Sequence, residues 1–149
     1  MTSASDLPPL DRILPHRSPF LLVDRVIELD PNVRIVAIKH VSYGERHLAP
    51  GRGGAPAMPL TMVMESVAQV GAVLVLSMPE NRDKLAFLLG IERVRQRQVV
   101  RAGDTMVIEV TVQKLRATTG RMAGRVRVDG RTIATGVMTF ALGPRSPVL

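Results

Sequence analysis

The apolar positions change period along the chain, and those changes mark its elements. Phe20 to Leu29 and Val33 to Val41 are runs rich in β-branched and apolar residues. Asp30-Pro31-Asn32 separates them with turn chemistry, so the pair reads as a hairpin. Ser42 to Pro56 follows with four glycines and two prolines, and is a long loop of the kind that often carries function. Met58 to Met78 is then almost wholly apolar, with Pro59 suited to a first helical turn and Pro79 just past the end. Four further runs read as strands: Lys84 to Arg93, Thr105 to Lys114, Arg121 to Val128 and Thr132 to Phe140. The second of these alternates clearly. Met106, Ile108, Val110 and Val112 share one face, while Thr105, Glu109, Thr111 and Gln113 share the other. Asp129-Gly130 joins the last two as a tight hairpin.

The order is two strands, one long helix, then four strands. A helix apolar nearly all round must be wrapped, and an antiparallel sheet curling about it does this. The expected class is α+β, a single hotdog domain with about six strands around a central helix. At about 1.5 Å per residue the helix is roughly 30 Å long, which also fits a membrane span. Glu65 and Gln69 sit mid-helix on one face, and a charge at a bilayer centre is costly. A buried central helix is therefore the favoured reading. The 149 residues suit one domain, placed at 11–142 between an N-terminal arm of residues 1–10, expected to be mobile, and a tail of residues 143–149.

Composition narrows the chemistry. Hydrophobic residues make up 46% of the chain but aromatics only 3%, so the core is aliphatic. There is no cysteine, which excludes disulfides, thiolate nucleophiles and Cys-based metal sites. That is compatible with a reducing cytosol. The first residues lack a basic stretch followed by an apolar one, so they do not read as a signal peptide, and a cytoplasmic location is expected. The net charge of +7 favours an anionic partner: nucleic acid, acidic membrane, acidic protein or a phosphate-bearing ligand. Arg93, Arg95, Arg97 and Arg101 form a local cluster without interleaved aromatics, which argues against single-stranded nucleic acid.

Residues 13–26 read Ile-Leu-Pro-His-Arg-Ser-Pro-Phe-Leu-Leu-Val-Asp-Arg-Val. This run closely resembles the N-terminal signature of the β-hydroxyacyl-acyl-carrier-protein dehydratases. Ala57-Met58-Pro59, Glu65-Ser66-Val67-Ala68-Gln69, Leu89-Gly90-Ile91, Ala102-Gly103-Asp104 and Val128-Asp129-Gly130 match further family segments in order. The likeness runs without gaps from about Leu10 to Leu142. It implies dehydration of (3R)-hydroxyacyl chains carried on acyl carrier protein, without metal or cofactor. It also implies a dimer, with a loop His and a helix Glu contributed by opposite subunits. A backbone N–H at the helix start polarises the thioester carbonyl in that family, and the matching position is Leu60.

Carried over residue by residue, the catalytic pair splits. The helix Glu falls on Glu65 and its supporting Gln on Gln69. The loop His falls on Gly51, because the family's His-Phe-Pro-Gly-His-Pro corresponds here to Gly51-Arg52-Gly53-Gly54-Ala55-Pro56. The family's Gly after Met-Pro is Leu60, which crowds the expected oxyanion position. Arg52, Met58 and Pro59 are the remaining candidates along the substrate tunnel.

Each candidate has a plainer reading. Glu65 is either a buried, hydrogen-bonded carboxyl or a general acid/base whose pKa burial raises. His47 is either a surface histidine or a substitute base reaching the site from upstream. His16 is expected to organise its loop, and His40 to be structural or exposed. Arg95, Arg97 and Arg101 are either a solvated face or, as the resemblance implies, a docking surface for the acidic carrier protein. Gln96 stands where the family has an aromatic residue. The leading expectation is a dehydratase-like protein with a degenerate site, at least a homodimer. Its rivals are a non-catalytic acyl-thioester-binding subunit, including one paired with a related dehydratase, and a hotdog thioesterase using Glu65.

Overall fold

A computed structural model describes residues 4–146. Its main sheet contains β1 (Arg25–Asp30), β2 (Arg34–His40), β4 (Lys84–Gln96), β6 (Thr105–Leu115), β7 (Thr119–Val128) and β8 (Arg131–Pro144). These six strands run in the order β1-β2-β6-β7-β8-β4, with every neighbouring pair antiparallel. A separate two-stranded ribbon pairs β3 (Ala57–Met58) with β5 (Val100–Arg101). A short helix α1 (Leu10–Ile13) precedes the sheet, and the long helix α2 (Leu60–Leu76) packs on it.

The alternation read in the third run orients its strand. Met106, Ile108 and Val110 are fully buried beneath α2, whose Val63, Val67, Val70 and Leu74 meet them in one core. The helix comes closest at two glycines. A Cβ on Gly124 would overlap the Val67 side chain, and one on Gly136 would press on Met64. The β7–β8 turn takes positive φ at Asp129 (50°) and Gly130 (75°), the geometry that a two-residue hairpin of this sequence requires.

Several boundaries shift for stated reasons. The helix was expected from Met58 to Met78, yet it starts at Leu60 because Pro59 is extended (ψ 143°) and Ala57–Met58 pairs with β5. It ends at Leu76, and Met78 is extended (ψ 138°), as a residue before proline tends to be. Among the described residues no helix is long and apolar enough to cross a membrane. The first strand begins at Arg25 rather than Phe20, since the Phe20 carbonyl and Leu22 amide are bonded to the side chain of Gln69. The last strand reaches Pro144, where Lys84 pairs with it, two residues into the segment expected as tail. Ala4, Leu7 and Leu10, within the expected arm, pack against the core, while residues 1–3 lie outside the described ones.

One sheet edge is conspicuously apolar. β4 runs 13 residues, three past the expected end, and pairs on one side only. Phe87, Leu88, Leu89, Ile91 and Val94 along it are between 36% and 61% exposed.

Candidate functional site

Helical spacing puts Glu65, Ala68, Gln69 and Ala72 on one face of α2, at i, i+3, i+4 and i+7. That face looks into a cavity of about 240 Å³. Phe87 and Leu88 of β4 and Met122, Met138 and Phe140 of the sheet close it. The walls are apolar, and the polar groups gather at one end, where Glu65, Gln69 and His16 meet.

Gln69 builds that end. It is 1% exposed, and its amide makes three hydrogen bonds. Nε2 donates to Glu65 Oε1 (2.9 Å) and to the Phe20 carbonyl (2.7 Å), while Oε1 accepts from the Leu22 amide (2.9 Å). One side chain thereby ties the N-terminal signature segment to the helix and orients the carboxylate. His16 Nε2 lies 3.3 Å from the same Glu65 oxygen. The other ring nitrogen of His16, Nδ1, is buried without a hydrogen-bond partner. Glu65 Oε1 is thus held from two sides, and among the described residues Oε2 makes no hydrogen bond to protein.

Of the two readings of Glu65, the hydrogen-bonded carboxyl fits the structure and a raised pKa does not. The His16 hydrogen bond is the largest influence and favours the carboxylate; burial opposes it, and the Gln69 hydrogen bond adds to the stabilisation. The net effect holds Glu65 below the ordinary carboxylate range. Apolar surroundings alone suggested the reverse, because the donor across the site lies 49 residues away in sequence and was assigned to loop organisation.

The remaining candidates scatter. His47 Nε2 is 2.9 Å from Glu45 Oε2, and Glu45 in turn accepts from Lys39 Nζ (2.7 Å) and the Ser42 amide (3.0 Å). His47 does not line the Glu65 cavity within the same protomer. His40 ends β2 and sits 3.0 Å from the Thr105 hydroxyl. Met58 is 1% exposed in the core, Arg52 is exposed, and neither they nor Pro59 line the cavity. Leu60 opens α2; Met62 and Val63 both donate to the Pro59 carbonyl, and the Leu60 amide precedes the first intrahelical bond.

The arginine cluster divides in two. Arg95 and Arg97 are exposed and line a groove of about 640 Å³ on the sheet, with Arg93 and Arg125. Gln96 is the exposed last residue of β4, paired with Ala134. Arg101 turns away and donates from Nη1 to the Ala55 carbonyl (2.7 Å).

The FabA-like domain family matches residues 14–137. The 3-hydroxyacyl-[acyl-carrier-protein] dehydratase FabZ of Thermomicrobium roseum is 46% identical over 133 residues, 89% of each chain. The enzyme of the same name from Desulforamulus reducens is 43% identical over 140 residues, 94% of this chain and 99% of its own. Among solved structures, the dehydratase heterocomplex ApeI:P from Xenorhabdus doucetiae superposes with a TM-score of 0.80 at 23% identity, covering 93% of both chains.

Proposed function

The chain belongs to the FabA-like family, among the FabZ-type 3-hydroxyacyl-acyl-carrier-protein dehydratases, and we propose that it binds 3-hydroxyacyl and 2-enoyl thioesters with Glu65 at the reacting carbons. The observation that carries this is the Glu65–Gln69–His16 cluster at the head of an otherwise apolar cavity. An apolar cavity of about 150 Å³ accommodates benzene. A space of about 240 Å³ suits a short acyl chain.

Dehydration removes a proton from Cα, forms the Cα–Cβ double bond and expels the β-hydroxyl as water once it has gained a proton. Two proton transfers are needed. Glu65, held as a carboxylate with Oε2 free of protein hydrogen bonds, can accept the Cα proton, and the leaving hydroxyl then needs a separate proton donor. Position 51 offers nothing for the other, and His47 has one ring nitrogen, Nε2, against Glu45. Loss of one general acid–base group typically costs about 10²–10⁴ in rate. The chain alone is therefore a slow dehydratase that retains its acyl site.

Pairing of β4 with a second copy would cover the apolar edge and complete a dimer. A related subunit bearing the loop His fits the same edge, and the intact Glu65 cluster favours this second reading. In such a pair one complete site would form from Glu65 here, accepting the Cα proton, and the partner's loop histidine, donating to the leaving hydroxyl. Arg95 and Arg97 supply a basic surface for an acidic carrier protein, and a cytoplasmic location accords with that partner.

The test is to give the purified protein (3R)-hydroxyacyl and trans-2-enoyl thioesters, alone and mixed with a loop-His dehydratase. Hydration, dehydration and thiol release are followed by mass spectrometry. Binding with slow hydration that rises on mixing is expected. Rapid thiol release lost in Glu65→Gln would instead identify a thioesterase.

A further inference from the structure

The loop base is missing at Gly51, but glycine is only part of what excludes it. Gly51 does not have a positive φ, so its restriction is one of space. A Cβ built there would overlap the Ala55 carbonyl oxygen and lie 2.7 Å from Arg101 Nη1. Those two atoms are also bonded to each other. Gly54 faces the same guanidinium, with its Cβ position 3.1 Å from Nη1 and 3.2 Å from Cζ. The turn from 51 to 55 is thus folded over the tip of Arg101.

Arg101 is itself anchored. It lies in β5 opposite Ala57, and its amide donates to Asp104 Oδ2 (2.9 Å). The next amide, of Ala102, donates to the Pro56 carbonyl (2.8 Å). The guanidinium is half-buried, and its hydrogen bond to Ala55 fixes the tip. A flexible side-chain end normally yields to a new Cβ, but this one is pinned, and the second obstacle is backbone. Any side chain at 51 must break the bond between residues 55 and 101 and reshape the turn.

We propose that Arg101 is a positioning residue that holds loop 51–55 in a shape barring every side chain at position 51. The empty base position then belongs to a coupled pair, Gly51 with Arg101. This rests on the reading of position 51 as the loop-base position.

A double-mutant cycle tests it in the intact chain. Gly51→Ala should lower Tm by several degrees, about 5 °C, when Arg101 is present. It should cost clearly less beside Arg101→Leu, which frees both the space and the Ala55 carbonyl. Equal costs in the two backgrounds would overturn the proposal. Gly51→His supplies a second readout that a merely structural arginine would not move. Alone it should give no gain in enoyl-thioester hydration. Joined to Arg101→Leu it should raise hydration about 10-fold and add a pH dependence near the imidazole range, about 6.5. The same gain from Gly51→His alone would also overturn the proposal. If neither variant gains activity, the stability cycle decides. Acyl-thioester binding is measured on every variant, so loss of binding throughout would count against the proposed function and leave the cycle readable.

Discussion

The two positions proposed as the catalytic pair are built in opposite ways in this chain. On α2, Glu65 lines an apolar cavity, aligned by Gln69 and steadied by His16 through one oxygen, with the other free of protein hydrogen bonds among the described residues. In the loop, Gly51 sits under the Ala55 carbonyl and the Arg101 guanidinium, where no side chain fits. The first region is arranged for a ligand, whereas the second is packed against its own backbone.

The comparison breaks most directly at Glu65. Glu65→Gln keeps the shape and removes the charge, and any turnover should fall by about 10²–10⁴ with thioester binding retained, as read by mass spectrometry and calorimetry. Next is Gln69→Ala. It strands the Phe20 carbonyl and Leu22 amide and empties a buried site, so a destabilisation of about 3 kcal/mol is expected from chemical denaturation.

His16→Phe should act on pH dependence. Without its largest support, Glu65 titrates higher, so the acid limb of turnover moves to higher pH. The linked stability has a definite sign. A carboxyl whose folded pKa lies below its unfolded one stabilises the fold above the unfolded value, and that contribution is lost as pH falls through the folded value. Wild type should therefore lose this increment on acidification, and His16→Phe should lose less. Leu89→Lys on the open edge of β4 should shift sedimentation toward monomer. His47→Ala is the smallest expected effect, with turnover changed less than twofold, because its ring is taken up by a hydrogen bond to Glu45.

The fold was largely legible because periodicity reports local geometry. The alternation from Met106 to Val110 and the Asp129-Gly130 turn are short-range signals, and both appear as read. The start of β1 was not, since a side chain from α2, Gln69, takes the backbone groups of Phe20 and Leu22. The β3–β5 ribbon rests on two residue pairs, too few for a pattern. Within the candidate site, the shared helical face of Glu65 and Gln69 was legible from their spacing. The role of His16 was missed because its contact with Glu65 spans the fold, and with it went the direction of the Glu65 pKa. Arg101 looked like one more member of a basic cluster. Only the path of the loop shows that it faces Ala55 while Arg95 and Arg97 face the sheet groove.

The most direct measurement is hydration of a trans-2-enoyl thioester by wild type, Glu65→Gln and His47→Ala, beside a loop-His dehydratase assayed under the same conditions. Bound thioester with hydration at least about 10²-fold slower than that enzyme, abolished by Glu65→Gln and unchanged by His47→Ala, is the expected result. Hydration at the relative's rate, lost in His47→Ala, would mean that the loop supplies a base after all and would contradict the half-site described for this chain.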